Sequence, residues 1–176
     1  MRPLRFLSWG VVLATVVYAV AVYGQLPDRI PTGLDAAGAA RGWTARSPLS
    51  WFFLPGMLVV LQVLFDVLAS LIPARPQMVN LPDKEKLLAL PTRWRAPVLR
   101  EVVLMMDATG LGVALLFALI QWQLTRTAQG QPGALGVAGL LMPIGLTVVL
   151  LLFVARIGSR LDEAYRAWQV AGAPAE

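Results

Sequence analysis

Four long runs of apolar residues alternate along the chain with shorter stretches that are rich in charged and turn-forming residues. The runs cover residues 6–24, 49–72, 102–124 and 135–155. The first and fourth runs carry no charged side chain, and the second and third carry one each, Asp66 and Asp107. A helix needs about 20 apolar residues to cross the hydrocarbon core of a bilayer. Because lipid offers the backbone no hydrogen-bond partners, the pattern predicts four transmembrane helices.

The composition of the chain is typical of a membrane protein. Of the 176 residues, 57% are hydrophobic and only 14% are charged, and the mean hydropathy is +0.67. A soluble domain carries about 25% charged residues, so this chain has too little polar surface to cover a water-soluble globule. The expected fold class is therefore an all-α integral membrane protein with four transmembrane helices.

The first apolar run has a second interpretation as a cleaved signal peptide. Arg2 and Arg5 precede it, and the sequence Ala19-Val20-Ala21 resembles a cleavage site. The apolar run continues past that point to Tyr23 and is long enough to span the membrane. We therefore expect the segment to be retained as the first helix.

Lysine and arginine residues are distributed unevenly between the two sides of the predicted membrane. Eleven lie before the first run, between the second and third runs, or after the fourth, and four lie in the other two connections. Cytoplasmic loops carry the excess of basic residues, so both termini are expected in the cytoplasm and the connection after the first helix outside it. Anionic lipid headgroups on the cytoplasmic side then account for the pI of about 10.4. The expected partners are membrane lipids and not nucleic acid.

The charge and apolar patterns divide the chain into four parts. We predict a two-helix membrane domain at 1–72 with a Pro/Gly-rich extracytoplasmic loop at 25–48, a basic cytoplasmic loop at 73–100, a second transmembrane hairpin at 101–157 and a cytoplasmic tail at 158–176. Within the basic loop, residues 82–90 are typical of a short helix that Pro91 ends. The tail is amphipathic at its start, and we expect it to fray.

The chain contains no histidine and no cysteine, which excludes several kinds of active site. Cysteine nucleophiles, histidine general bases and the common zinc sites each need one of these residues. An intramembrane aspartyl dyad is formally possible with Asp66 and Asp107. The composition nevertheless favours a protein that is not an enzyme and that uses no metal and no cofactor.

Asp66 and Asp107 lie at matching depths in consecutive antiparallel helices. Each is six residues from the cytoplasmic boundary of its span, which places both about 9 Å inside that boundary. Each also belongs to a stripe of polar and small residues at helical spacing, so both stripes are expected to face the bundle interior. The stripes are Gln62, Asp66, Ala69 and Ser70 on the second helix and Asp107, Gly110, Ala114, Ala118 and Gln121 on the third.

A carboxylate inside a membrane is costly and usually pairs with a cation or serves a transport pathway. We expect Arg156 and Arg100 to be the counter-charges, because both lie at the cytoplasmic end of the helices. One interpretation is a structural ion pair that fixes helix register. The other is a proton or cation site, since two neighbouring carboxylates would raise the pKa of one of them.

The extracytoplasmic loop is too rich in proline and glycine for a helix and too patterned for an idle linker. The prolines stiffen its start, its aspartates accept backbone hydrogen bonds in turns, and its glycines permit positive φ. We expect a compact cap over the helix ends. It either closes the first helical hairpin or recognises a partner through Pro27, Asp28, Ile30, Pro31, Asp35, Gly38 and Trp43.

This segment resembles the signature of a bacterial membrane domain of unknown function, which also forms the N-terminal part of SdpI-type toxin-immunity proteins. The usual pattern is Leu-Pro-Asp/Glu, one residue, Ile-Pro-x-His-Phe-Asn/Asp, then Gly and Gly-Trp before a basic residue. The matching residues are Leu26, Pro27, Asp28, Ile30, Pro31, Thr32, Asp35, Gly38, Gly42, Trp43 and Arg46. The resemblance covers about residues 6–72 and implies a location in the bacterial cytoplasmic membrane.

Three positions depart from the family pattern. Gly33 replaces the usual histidine, Leu34 replaces an aromatic residue and Arg41 replaces a frequent aspartate. A metal-binding or pH-sensing role of that histidine would be lost here. The resemblance therefore implies a shared architecture more strongly than a shared ligand.

Three functions remain open from the sequence. The first is an interaction protein of the immunity or envelope-signalling type, which recognises a peptide or an envelope protein through the loop at 25–48. The second is a small channel or carrier component that uses Asp66 and Asp107. The third is an accessory subunit of a larger membrane complex.

Overall fold

A computed structural model of the chain describes residues 2–35, 38–131 and 136–172. Most of these residues are helical, with a short β-hairpin after the first helix. The elements in chain order are α1 (Pro3–Tyr23), β1 (Arg29–Leu34), β2 (Ala40–Ala45), α2 (Pro48–Leu71), a 3-10 turn (Pro76–Met78), α3 (Lys84–Ala89), α4 (Thr92–Ala128) and α5 (Gly136–Val170). Among the described residues, four of the five α-helices are long, and they contain the apolar runs except for Gly24, Ile72 and the undescribed Leu135.

The prediction of four membrane-spanning helices is confirmed in length and composition. The candidate spans are Pro3–Tyr23, Pro48–Leu71, Thr92–Ala128 and Leu141–Val170. Each is long enough to cross the roughly 30 Å hydrocarbon core of a bilayer at 1.5 Å per residue. Leu135, the expected start of the fourth run, lies outside the described residues.

The helices α1, α2 and α4 pack against one another, and α5 packs on α4. Val12 of α1, Leu58 of α2 and Ala114 of α4 form a cluster between these helices, and each residue is at most 2% exposed. Gly112 allows α5 to approach α4 closely, because a Cβ atom at this position would lie 2.5 Å from Leu146 Cδ1. Small residues in helix interfaces have this role in membrane proteins.

The connection after α1 is an antiparallel β-hairpin, so the all-α prediction is wrong for this segment. Arg29 pairs with Ala45 and Leu34 with Ala40, with an irregular register around Gly33. Trp43 and Thr44 favour extended backbone. Pro31 is tolerated because both strands of a two-stranded sheet are edge strands. Residues 36 and 37 of the predicted loop lie outside the described residues.

Beyond the expected membrane boundary, the chain forms a second packed region that we call the basal layer. It consists of the 3-10 turn with the residues after it, α3, the first turns of α4 and the last turns of α5. All of these except the 3-10 turn itself contribute side chains to one buried cluster. The fully or almost fully buried members are Leu87, Leu90, Val98, Ile157 and Leu161. Because α4 has 37 residues and α5 has 35, each exceeds 50 Å at about 1.5 Å per residue and projects beyond the hydrocarbon core.

The basal layer corrects two of the predicted boundaries. The segment at 73–100 is not only a loop, since α4 already begins at Thr92. The tail at 158–176 does not fray at its start, since α5 continues to Val170. The short helix predicted within 82–90 is confirmed as α3. Packing of apolar side chains at 157, 161, 164 and 168 explains the continuation of α5, and this helical spacing is visible in the sequence.

Lys86 of α3 adds a polar contact between the parts of the basal layer. Its Nζ lies 3.0 Å from Asp162 Oδ1 on α5 and 3.3 Å from Asp83 Oδ2. The hydrogen bond to Asp162, followed by the one to Asp83, raises the pKa of Lys86 above its usual value of 10.5. The stabilisation is therefore fully present below pH 10.5 and is lost as the pH rises through the higher pKa of the folded protein.

Replacing Trp168 with alanine tests whether the basal layer is a folded unit. Trp168 is only 9% exposed and packs edge-to-face on Tyr165. Loss of this side chain should destabilise the layer by about 3 kcal/mol, and amide hydrogen exchange in residues 157–170 should rise sharply. Val170→Ala is the matched control, because Val170 is 89% exposed. Equal exchange in both variants would show that the end of α5 is frayed as first expected.

Candidate functional site

The β-hairpin is seated on the ends of three helices. Its anchor is an apolar cluster formed by Leu26 and Ile30 with Ala19 of α1, Trp51 of α2 and Ala128 of α4. Ile30 is 2% exposed, so this residue of the predicted binding loop is part of the core. Trp51 is buried and donates a hydrogen bond from Nε1 to the carbonyl of Ala19 at 2.9 Å.

Arg46 fastens the base of the hairpin to the end of α1. Its guanidinium donates a hydrogen bond to the carbonyl of Leu26 and lies 5.8 Å from the centre of the Tyr23 ring. The Asp28 carboxylate is 3.8 Å away, but it is fully exposed and adds little in water. The carbonyl and the aromatic ring are therefore the main partners of Arg46. These two contacts explain why the family signature ends in a basic residue.

Asp35 and Gly38 shape the hairpin turn. The Asp35 Oδ1 atom accepts a hydrogen bond from the Ala39 amide at 2.8 Å, and the Gly38 amide donates to the Asp35 carbonyl at 3.0 Å. Gly38 has a φ of +82°, which favours glycine. The Thr127 hydroxyl of α4 donates to the Gly38 carbonyl at 3.4 Å. Both predicted loop residues thus have structural roles in the turn.

One face of β2 remains open. The strand alternates between half-buried and exposed residues, and its exposed residues are Arg41, Trp43 and Ala45. Trp43 is 44% exposed despite its large apolar ring. Of the other predicted loop residues, Pro27, Asp28 and Asp35 are exposed, whereas Pro31 is buried with Ile30. We call Arg41, Trp43 and Ala45 the open strand face.

At the opposite end of the bundle, the start of α1 neutralises both intramembrane aspartates. Arg2 forms a bidentate ion pair with Asp107, with its Nε 2.8 Å from Oδ2 and its Nη2 2.7 Å from Oδ1. The Arg5 Nη2 atom lies 3.0 Å from Asp66 Oδ2, and the same oxygen accepts a hydrogen bond from Trp9 Nε1 at 2.8 Å. Asp66 and Asp107 are 8% and 6% exposed, so both carboxylates are buried and paired.

The expected counter-charges are therefore wrong. Arg156 instead binds Glu101 of α4 in a bidentate pair, with both N–O distances at 3.0 Å. It lies on α5, which packs mainly on α4 and does not place this side chain beside the aspartates. Arg100 forms no ion pair with any residue in the described ranges. Arg2 and Arg5, which flank the first apolar run in the sequence, are three residues apart and therefore lie on one helix face.

The stripes of α2 and α4 face the bundle interior as predicted, with one exception. Gln62 and Gln121 are 2% and 1% exposed, and Ala114 is fully buried. Ser70 is exposed and donates its hydroxyl to the Val67 carbonyl. Since each aspartate has its own guanidinium partner, the arrangement joins α1 to α2 and to α4. It does not leave two carboxylates to share a proton.

A double-mutant cycle on Arg2 and Asp107 should measure this connection. We expect a coupling free energy of about 1–2 kcal/mol between Arg2→Gln and Asp107→Asn, because each single change leaves a buried or half-buried charge without its partner. Thermal unfolding of the protein in detergent reports the stabilities. The exposed pair Arg160 and Glu163 serves as control, with a coupling below about 0.5 kcal/mol. If the effects of Arg2→Gln and Asp107→Asn on stability simply add, the ion pair does not have the proposed structural role.

Replacement of Arg46 with alanine should release the hairpin without unfolding the bundle. The change removes the hydrogen bond to Leu26 and the contact with the Tyr23 ring. Amide hydrogen exchange in residues 29–45 should increase, while exchange in α2 stays constant. Arg41→Ala is the matched control, because Arg41 is an exposed arginine of the same hairpin. If amide hydrogen exchange in residues 29–45 rises equally in both variants, Arg46 does not hold the base of the hairpin.

The family comparison matches one part of the chain, and this part contains the hairpin. The family model described as Domain of unknown function (DUF1648) matches residues 10–59, from the middle of α1 through both strands to the middle of α2. Neither the curated proteins nor the solved structures contain a match to the chain. The expected resemblance to a membrane domain of unknown function is thus supported for α1, the hairpin and α2, while α4 and α5 lie outside the match.

Proposed function

We propose that the protein is a membrane-embedded interaction protein that recognises an extended peptide segment through the open strand face of its hairpin. The observation that carries the proposal is the exposed Trp43 ring on a hairpin that is otherwise fixed to three helices. Tryptophan and arginine are the side chains that most often dominate recognition surfaces. Arg41 and Trp43 together provide both on one strand face.

The strand arrangement favours a peptide over a small molecule. β1 packs against α4, whereas β2 forms the other edge of a two-stranded sheet. An open strand edge presents backbone N–H and C=O groups that an added strand can pair with. Such pairing supplies affinity from the main chain, and exposed side chains such as Trp43 supply specificity. A rigid anchor also reduces the entropy that binding costs.

The proposed orientation places the hairpin outside the cytoplasm. The basal layer carries Arg75, Lys84, Lys86, Arg93, Arg95 and Arg166, which is the excess expected on the cytoplasmic side. The hairpin lies at the other end of the bundle, where a secreted peptide or an envelope protein would meet it. The proposed location is the bacterial cytoplasmic membrane, and the resemblance to SdpI-type immunity proteins fits a peptide partner.

Gly33 is relevant to this proposal because the family usually has a histidine there. A Cβ atom built at Gly33 has no neighbouring atom within 4 Å, so the position has room for a side chain. The glycine therefore removes the chemistry of an imidazole from this position. The proposed recognition accordingly depends on Trp43 and Arg41 and not on a titrating group at position 33.

The alternative of a channel or carrier component has weaker support. It requires a carboxylate that can exchange a proton or cation, but Asp66 and Asp107 are each held by an arginine at 3.0 Å or less. Opening either pair would leave a buried carboxylate without its counter-charge. The geometry favours a role for these residues in holding the bundle that carries the hairpin.

A photo-crosslinking probe at Trp43 tests the proposal in native membranes. We expect a discrete adduct at Trp43, and mass spectrometry should map it to one extended segment of a partner polypeptide. A probe at Gln129, which is exposed just after α4 at the same end of the bundle, is the positional control. Arg41→Ala should weaken the Trp43 adduct several-fold, whereas Trp122→Ala, at a tryptophan 38% exposed on α4, should leave it unchanged. Lipid adducts alone would contradict a peptide partner.

A further inference from the structure

A cavity of about 990 Å³ lies at the end of the bundle that is opposite the hairpin. Its walls come from the start of α1, the end of α2 with the following turn, and the start of α4. Ligand sites in proteins commonly have volumes between about 300 and 1,000 Å³, so the space is large enough for a headgroup and the adjoining part of an acyl chain. The cavity is separate from the open strand face.

The walls of the cavity combine an apolar cleft with a basic rim. The apolar part contains Leu4, Ala69, Ala74, Ala96, Leu99, Val103 and Leu104. The polar part contains Arg2, Arg95, Arg100 and Asp107, together with Thr92 and Ser70. Three arginines against one aspartate leave a net charge of +2 in the lining. A ligand that matches both parts must therefore be anionic at one end and apolar at the other.

The single carboxylate in the lining does not oppose an anion. Asp107 is engaged by Arg2 in the bidentate pair described above, with N–O distances of 2.7 and 2.8 Å. The pair is neutral as a unit, and its Asp107 member is 6% exposed. The charge that remains available in the cavity is consequently positive and belongs to Arg95 and Arg100.

Arg95 and Arg100 both have unused capacity to donate hydrogen bonds. Arg95 donates from Nη2 to the carbonyls of Leu88 and Leu90, which fixes its position and leaves its Nη1 atom without a hydrogen bond to the described residues. Arg100 forms no ion pair within the described ranges of the chain, as noted above. Guanidinium groups recognise phosphate through several parallel hydrogen bonds. Arg95 and Arg100 both line the cavity and have no carboxylate partner among the described residues, so they are suited to bind an anionic headgroup.

The depth of the cavity matches the boundary between hydrocarbon and headgroups. The spans α1 and α2 start and end beside it, at Pro3 and Leu71, and the basal layer begins directly below. Basic pockets between transmembrane helices at the cytoplasmic boundary are typical binding places for anionic lipid headgroups. Ala69, Val103 and Leu104 of the apolar part lie within the apolar runs, and from there an acyl chain would continue into the bilayer.

From these observations we infer that the cavity binds one anionic phospholipid of the leaflet on the basal side. Arg100 and Arg95 contact its phosphate, and the cleft lined by Ala69, Leu99 and Val103 holds the upper part of an acyl chain. A free phosphate ion would leave the apolar wall uncovered. A zwitterionic lipid would place its own cation beside the two arginines. Neither a free phosphate ion nor a zwitterionic lipid therefore matches the lining as well as an anionic phospholipid does.

Native mass spectrometry of the full-length protein in detergent tests the inference. Phosphatidylglycerol and phosphatidylcholine with identical acyl chains are titrated separately. We expect one high-affinity phosphatidylglycerol per protein, bound on the order of tenfold more tightly than phosphatidylcholine. Arg100→Gln should weaken phosphatidylglycerol binding about fivefold, which is the scale of one basic residue near an anionic surface. Arg93→Gln is the matched control, because Arg93 is exposed on the same helix and does not line the cavity.

A second variant separates the cavity from general surface charge. Ala96→Trp fills the cavity without a change of charge, so it should abolish the high-affinity site while thermal unfolding shows a folded protein. Equal binding of the two lipids, equal loss in Arg93→Gln and Arg100→Gln, or full binding by Ala96→Trp would each overturn the inference. Displacement of phosphatidylglycerol by millimolar inorganic phosphate would also overturn it, because the site would then recognise the anion alone.

Discussion

The need to neutralise two buried carboxylates governs the arrangement of the bundle. Asp66 on α2 and Asp107 on α4 face the interior, where an unpaired charge is costly. Arg2 and Arg5, one turn apart at the start of α1, supply the counter-charges. Each pair fixes both the depth and the rotation of one helix relative to α1. Small residues between the helices then permit close packing, and α5 is added on the outer side of α4.

The position of the hairpin depends on this bundle. Its apolar anchor draws residues from α1, α2 and α4, so the three helix ends must be held at fixed positions before the hairpin has a surface to bind. Arg46 then fixes the base, and the contact between Thr127 and Gly38 fixes the tip. As a result, Trp43 is exposed on a rigid support, which is the property that the proposed recognition uses.

The sequence was sufficient to predict features that depend on neighbouring residues, such as helix length and helix face. It was not sufficient to predict contacts between residues that are far apart in the chain. Apolar run length predicted the four spans, and helical spacing predicted that Asp66 and Asp107 face inwards. The hairpin was missed because Pro31, Gly33 and Gly42 have the appearance of turn residues. The partners of the aspartates were missed because an arginine beside a span also acts as a topology signal. The apolar stripe at 157–168 is visible in the sequence, but the continuation of α5 was not predicted from it because the segment after 158 was interpreted as a tail.

The pairing of α1 with later helices has a consequence for the order of biogenesis. The ribosome delivers α1 to the membrane first, so Arg2 and Arg5 already stand at the boundary when α2 and α4 emerge. Each aspartate can then enter the lipid beside a waiting guanidinium, which lowers the cost of its insertion. The first helix thus carries both of the cations that the aspartates of the later helices pair with.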